Sequence, residues 1–311
     1  MLRTLASAIL RLAVATVLLL CLGIGALALF NGRGGADADP LPGAGTEVPA
    51  FAPGQPLELR VVTFNIQDLP VVARDHAARM RAIAGALSDL DPDLVGFQEA
   101  FVPRHRALLQ ECLTSSRLRY FRYYPSATVG SGLLVASAHP ITGVRFLRFS
   151  RSNPWWKLWE GDWWAGKGAA LARIALPGGT QIDFYNTHAQ ADYGNPRYAA
   201  IRLSQMRELA SFIDGTRRGT VPALLVGDLN SRPADEEFRA LIDLAGLERA
   251  MTIDSGIDHI LLARSAAYRL TVLETRPITA RIAVGGRQTG LSDHAGYFSR
   301  IRISPAAPAS G

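Results

Sequence analysis

Two short runs, Gly227-Asp228-Leu229-Asn230 and Ser292-Asp293-His294, set carboxylate, amide and imidazole groups at the ends of stretches that read as buried strands. Hydrolytic chemistry needs such a set: oxygens to hold a metal ion, donors to grip a charged substrate, and a base to activate water. A sheet edge would hold the groups rigidly enough for the chemistry. Asn65, Glu99, His188 and Asp258 share that placement. Taken alone, each has a plainer explanation. Asn65 suits a turn, Glu99 could cap the following helix, His188 could be a hydrogen-bonded histidine at a sheet rim, and Asp228 with Asn230 could form an Asx turn leading into Pro233. Together they favour one site, because chance rarely parks so many polar residues at successive strand ends.

The elements that must position them alternate along the chain. Residues 57–64 read as a strand presenting Asn65. Residues 73–90 place Ala77, Met80, Ile83, Ala84, Leu87 and Leu90 on one helical face, and 93–97 form a short buried strand before Glu99. Further strands are predicted at 132–136, 168–176, 181–186 and 223–226, with a helix over 196–214. A helix near 235–244 precedes strands at 258–262, 268–274 and 297–303. This mixture of hairpin-like and helix-connected strands fits two packed sheets covered by helices better than one doubly wound sheet.

The series Thr63-Phe64-Asn65-Ile66, Gln98-Glu99, Asn186-Thr187-His188, Gly227-Asp228-Leu229-Asn230, Ile257-Asp258 and Ser292-Asp293-His294 resembles the endonuclease/exonuclease/phosphatase superfamily, over about residues 57–303. The resemblance implies an α/β (α+β) fold of DNase I type, a four-layer α/β/β/α sandwich with its site at one edge. It implies that Glu99, assisted by Asn65, holds Mg²⁺ (with Mn²⁺ or Ca²⁺ as substitutes) and that Asp293 lies beside the metal and phosphate. His294 would be the general base, oriented by Asp258. His188, Asp228 and Asn230 would bind phosphoryl oxygens during in-line attack by water.

Three segments are similar to neutral sphingomyelinases in particular. They are 130–141, in which His139 reads as a structural turn residue, the run Gly161-Asp162-Trp163-Trp164-Ala165-Gly166-Lys167-Gly168, and 186–193. In the last, Gln190 stands where those enzymes carry a second histidine and Asp192 where they carry a glutamate, which bears on headgroup selectivity.

All five tryptophans, Trp155, Trp156, Trp159, Trp163 and Trp164, fall between Asn153 and Lys167. One or two would serve the core. The number in so short a loop, with Lys157 and Lys167, points to a surface that dips into a bilayer interface or faces a headgroup. Stacking on single-stranded nucleic acid is the rival reading. Asp162 and Lys167 have the spacing and charge for an ion pair within the loop.

Arg3 and Arg11 flank the start of an apolar run from Leu12 to Phe30, long enough to cross a bilayer. Residues 1–30 are therefore expected to be a signal peptide or signal anchor, followed by a flexible Gly/Ala/Pro-rich tether at 31–56, a catalytic domain at 57–303 and a disordered tail at 304–311. The body would be exported. With 311 residues, 48% of them hydrophobic, the chain can bury a full core, and its formal charge of +6 suits anionic partners. Only Cys112 lies in the body, which excludes a disulfide within it and any cysteine-based metal site.

The leading expectation is an exported Mg²⁺-dependent phosphodiesterase acting on a phospholipid, with a sphingomyelinase C-like activity that releases a phosphorylated headgroup. An extracellular DNase I-like nuclease is the alternative, and a non-enzymatic lipid-binding module ranks below both. No obligate protein partner is evident.

Overall fold

The computed structural model describes residues 2–31, 35–37, 56–70 and 73–306. The first helix, α1 (Leu2–Asn31), contains the span Leu5–Ala26 with mean hydropathy 2.4 and no part of it buried. At 1.5 Å per residue, 22 residues reach about 33 Å, comparable to a hydrocarbon core. A short strand, β1 (Gly35–Asp37), lies in the stretch read as a tether, and the rest of 32–55 falls outside the described residues. So does 307–311 of the expected tail.

The body runs β2 (Leu57–Asn65), α2 (His76–Leu90), β3 (Leu94–Gln98), α3 (Pro103–Leu113), β4 (Tyr120–Tyr123), β5 (Leu134–Ser137), β6 (Ile141–Arg148), α4 (Gly161–Trp164), β7 (Gly168–Ala175) and β8 (Gln181–His188). It continues α5 (Arg197–Thr216), β9 (Ala223–Asp228), α6 (Glu236–Ala245), β10 (Leu247–Arg249), β11 (Asp258–Ala263), β12 (Tyr268–Ile278), β13 (Arg281–Val284), β14 (Arg287–Gly290) and β15 (Gly296–Pro305). One sheet has the order β1-β6-β7-β8-β9-β11-β10, and the other β12-β15-β2-β3-β5-β4.

Three apolar clusters make the layers. Leu59, Val61, Leu94, Val135, Ala172, Phe184, Leu224, Val226 and Ile301 meet between the sheets. Met80, Ile83 and Leu87 of α2 with Leu109 and Leu113 of α3 cover Val62, Phe64, Val95 and Phe97 on one outer face. Met206, Leu209 and Ile213 of α5 with Leu241 of α6 cover Leu171, Tyr185 and Leu225 on the other. Successive residues of β2 therefore feed opposite faces, as strand geometry requires. The strands β3 and β9 are buried along their whole length, which explains why they are apolar up to their last residues, Gln98 and Asp228. The result is the α/β/β/α sandwich.

At the centre the sheets come close. A Cβ on Gly96 would stand 2.4 Å from Val226 Cγ2 and 3.0 Å from the Asn186 side chain, so only glycine fits there. The same narrow space holds a polar tie between the sheets. Gln98 Nε2 donates to Asn186 Oδ1 (2.7 Å), and Asn186 Nδ2 donates to the Phe97 carbonyl (2.9 Å). Glu99 and His188 lie one and two residues beyond these anchors.

Candidate active site

Strand direction explains why the polar residues meet. In each sheet the central pair, β2–β3 and β8–β9, is parallel, so Asn65, Glu99, His188 and Asp228 leave or end their strands on one edge. The antiparallel neighbours begin where those strands stop. Asp258, first in β11, pairs with Asp228, and Tyr297, near the start of β15, pairs with Thr63, which brings His294 to the same edge.

The side chains converge. Asn65 Nδ2 donates to Glu99 Oε1 (3.3 Å) and Asp228 Oδ2 (3.0 Å). His188 Nε2 lies 3.4 Å from Asp228 Oδ2 and 3.9 Å from Glu99 Oε1. His294 Nδ1 meets Asp258 Oδ2 at 2.8 Å, and its Nε2 is 3.9 Å from Asp228 Oδ2. Asn230 receives its backbone position from Asp228 Oδ1 (2.9 Å) and donates its amide to the Ala189 carbonyl (3.1 Å). Asp293 is the outlier. It is exposed, accepts from the Ser292 hydroxyl (3.1 Å), and makes no hydrogen bond to Asn65 or Glu99. Glu99 and Asn230 hold left-handed backbones (φ 57° and 49°), a strained conformation that clusters at functional sites.

Burial sets the electrostatics. It pushes the Glu99 carboxyl up to about 7, against the opposing pull of Lys167 and the Asn65 hydrogen bond. It also raises Asp228. Burial pulls the His294 imidazole down, but the Asp258 hydrogen bond and the charges of Asp228, Asp258 and Asp293 outweigh it, so the net shift is upward. His188 moves the other way, lowered by burial and then by Lys167.

The Asp162–Lys167 pair expected within the tryptophan loop is formed, at 2.8 Å, and both side chains are buried. Lys167 Nζ also reaches His188 Nε2 (2.9 Å) and the Ala189 carbonyl (2.7 Å). An ammonium can only donate, so His188 Nε2 must accept and its proton sits on Nδ1, which is buried without a hydrogen-bond partner. The ion pair of the loop is thereby joined to the site. Gln190 is fully buried. Its Nε2 donates to Asp162 Oδ2 (3.0 Å), beside the Ala191 amide (2.7 Å), which fixes the Asp162 carboxylate.

Trp155, Trp156 and Trp159 are 61%, 49% and 73% exposed, Trp164 is 38% exposed, and Trp163 is buried. The fold thus takes one tryptophan and leaves four at the surface. Lys157 stacks over Trp159, and Trp164 Nε1 donates to the Leu158 carbonyl. His139 sits in a turn whose backbone amide is held by Ser137 Oγ, 3.5 Å from Asp93.

Sequence reasoning missed Asp68, His76, Arg79 and His105. Asp68 Oδ1 receives both His76 Nδ1 (2.7 Å) and His105 Nδ1 (2.6 Å), Oδ2 receives the Val102 amide, and the Asp68 amide donates to the Glu99 carbonyl. Arg104 Nε donates to His105 Nε2 (3.1 Å), which places the His105 proton on Nδ1. This second group of metal-capable side chains is already satisfied by hydrogen bonds. No spacing rule links these residues, since they meet only through tertiary contacts.

A helix-flanked pair of mixed sheets with its polar residues gathered at one edge is the DNase I-like sandwich. The Endonuclease/Exonuclease/phosphatase family matches residues 62–294, and the chain belongs to it. A Drosophila melanogaster protein provisionally named a neutral sphingomyelinase is 30% identical over 281 residues, covering 82% of this chain and 63% of that one. Sphingomyelin phosphodiesterase 2 of Rattus norvegicus is 33% identical over 198 residues, covering 62% and 46%. The chain thus spans about half to two thirds of the length of these curated relatives. The fold is shared with sphingomyelinase C from Streptomyces griseocarneus (TM-score 0.61, 22% identity, 81% of this chain and 100% of that one).

Proposed function

We propose that the chain is a divalent-metal-dependent phosphodiesterase that hydrolyses a membrane phospholipid of the sphingomyelin class, working at a lipid surface. The observation that carries this reading is the convergence of Asn65, Glu99, His188, Asp228, Asp258 and His294 at one sheet edge, joined through Lys167 to a loop with four exposed tryptophans. The names of the relatives supply the substrate class.

The residues fit a hard cation. Half-buried Glu99 and buried Asp228 share the Asn65 amide, and carboxylate and amide oxygens suit Mg²⁺ or Ca²⁺ better than a soft metal. Glu99 and Asn65 would hold it, with Asp228 adjacent and Asp293 at the rim. When bound, it neutralises charge on a phosphoryl oxygen.

The chain's own groups do the rest. His294 Nε2 takes the proton from the attacking water, while Asp258 fixes Nδ1 and favours the imidazolium that forms. Asn230 would provide a donor, and Lys167 behind His188 positive charge, beside the phosphate. The four exposed tryptophan rings would seat at the bilayer interface, and α1 is long and apolar enough to serve as signal or anchor in an exported protein.

The test is turnover. Purified protein with sphingomyelin vesicles and Mg²⁺ should release phosphocholine, Glu99→Gln should abolish release, and Trp155→Ala/Trp159→Ala should lose vesicle turnover while keeping that on a soluble phosphodiester. Cleavage of DNA with no release from vesicles would overturn the lipid assignment.

A further inference from the structure

Arg79 is on α2, away from every motif, and is 3% exposed. A buried guanidinium ordinarily finds a carboxylate. Among the described residues none lies within ion-pair distance of this one, although Asp68, Asp293, Asp75 and Glu99 surround it and act on its charge. Its donors go instead to backbone carbonyls of two loops. Nη2 donates to Ile66 and to Gln67 (3.0 Å), Nη1 to Gln67 (3.2 Å), and Nε to Leu291 (2.9 Å).

Both loops lead to the site. Ile66 and Gln67 directly follow Asn65, and Leu291 directly precedes Ser292-Asp293-His294. Gln67 is also held in a left-handed backbone (φ 48°), with its amide on Asn65 Oδ1 (3.1 Å) and its carbonyl on Arg79. One planar fork therefore bridges the loop that starts at a metal-holding residue and the loop that ends at the base, which are more than 200 positions apart in sequence.

We propose that Arg79 is a positioning residue that sets the spacing between the Asn65–Glu99 end of the site and the Asp293–His294 end. It touches no reacting atom. It works by holding two carbonyl-lined loops at a fixed separation, and no neutral side chain offers donors in that fork geometry. Lysine keeps the charge but as a point donor, so it can satisfy only part of the set.

This inference rests on the phosphodiesterase reading for its kinetic consequence and on geometry alone for its structural one, so two measurements are paired. Amide hydrogen exchange at Gln67, Asp68 and His294 should rise together by about tenfold or more in Arg79→Gln, and stay as in wild type in Arg81→Ala, an exposed arginine on the same helix. On a soluble phosphodiester with Mg²⁺, Arg79→Gln should lose about 100-fold in kcat with KM nearly unchanged and need more Mg²⁺ for half-activation, and Arg79→Lys should recover part of the loss.

Unchanged exchange at the two loops overturns the clamp, as does a kcat loss that merely tracks the unfolded fraction. Should Arg79→Gln fail to fold, Arg79→Lys decides by the same readouts. If wild-type protein turns over no phosphodiester, the function reading falls, and the exchange result alone still upholds or overturns the clamp.

Discussion

Gly227 is the residue on which the Gly-Asp-Leu-Asn run depends, and Gly227→Ala measures how. Its φ is 152°, outside the region that L side chains readily adopt, and a Cβ there would stand 2.1 Å from the Thr187 carbonyl oxygen. The obstacle is backbone, so no side chain can swing aside. Relief requires β8 and β9 to separate by about 1 Å, at the rung beside the one that pairs His188 with Asp228. Backbone strain of about 1–3 kcal/mol and overpacking of about 1–3 kcal/mol together predict a loss of roughly 2–6 kcal/mol. A shift of about 1 Å among site residues predicts a fall in kcat of roughly 100-fold in the molecules that stay folded. Denaturant melts give the first number and turnover per folded molecule the second. Gly178→Ala is the control, because it combines a positive φ (77°) with open space, so it should show strain alone and full turnover. Were Gly227→Ala to melt within about 1 kcal/mol of wild type at full turnover, the close-approach argument would be refuted.

Three further outcomes follow from the charges. Removing Asp258 takes away both the hydrogen bond and a negative charge that raise His294, so in Asp258→Asn the ascending limb of kcat/KM should move to lower pH by roughly one to two units while the plateau falls. An unmoved limb would rule out His294 as the base. With its carboxyl near 7, Glu99 must shed a proton to bind a cation, so Mg²⁺ binding at pH 7 should release about half a proton and weaken up to tenfold per pH unit below that; calorimetry in buffers of different ionisation heat reads it directly. His259, buried against the Ser231 carbonyl, is lowered chiefly by burial to about 4. Its folded pKa lies below the unfolded one, so the unfolded chain takes up the proton first. Stability should therefore drop as pH falls from about 6.5 to 4, by up to about 3 kcal/mol, and His259→Asn should flatten that slope in melts. Coincident slopes would discount burial as the cause.

The sandwich was legible because β3 and β9 are short runs, apolar up to a polar last residue, while β2 alternates and α2 and α5 repeat at helical spacing. Strand ends were read short by about two residues at β8 and β9, with a physical consequence. His188 and Asp228 are the last rungs of a parallel ladder, not loop residues, so the sheet itself fixes their backbone. The strand β6 escaped notice because Thr142, Gly143 and Arg145 interrupt its apolar pattern, and the hairpin β13–β14 because Arg281, Gly285, Gly286 and Arg287 read as loop. Site residues at strand ends carry a sequence signal, namely a polar residue where an apolar run stops. Asp68, Arg79 and His105 carry none, since a helix face or a loop interior becomes part of the site only when distant backbone arrives.

The buried charges can be counted out residue by residue, and the count explains the chemistry. Lys167 has three donor protons, and Asp162, His188 and the Ala189 carbonyl use all three. His294 is committed to Asp258. Glu99 and Asp228 are left with neutral donors, the Asn230 backbone amide for Asp228 and, shared between the two, the Asn65 side-chain amide. That amide can bridge two carboxylates but cannot cancel two negative charges, and buried carboxylates of like sign do not both stay ionised without compensation. Either Glu99 keeps a proton, as its raised pKa says, or a divalent cation takes the proton's place. The same shortage that favours a proton on Glu99 near neutral pH would favour a hard cation between residues already fixed by two sheets. Arg79, another buried cation near the site, spends its donors on carbonyls rather than on either carboxylate. On the proposed reading the fold supplies the position of the groups and the neutralising charge comes from solution, which would tie hydrolysis at this edge to metal concentration and, through Glu99, to pH.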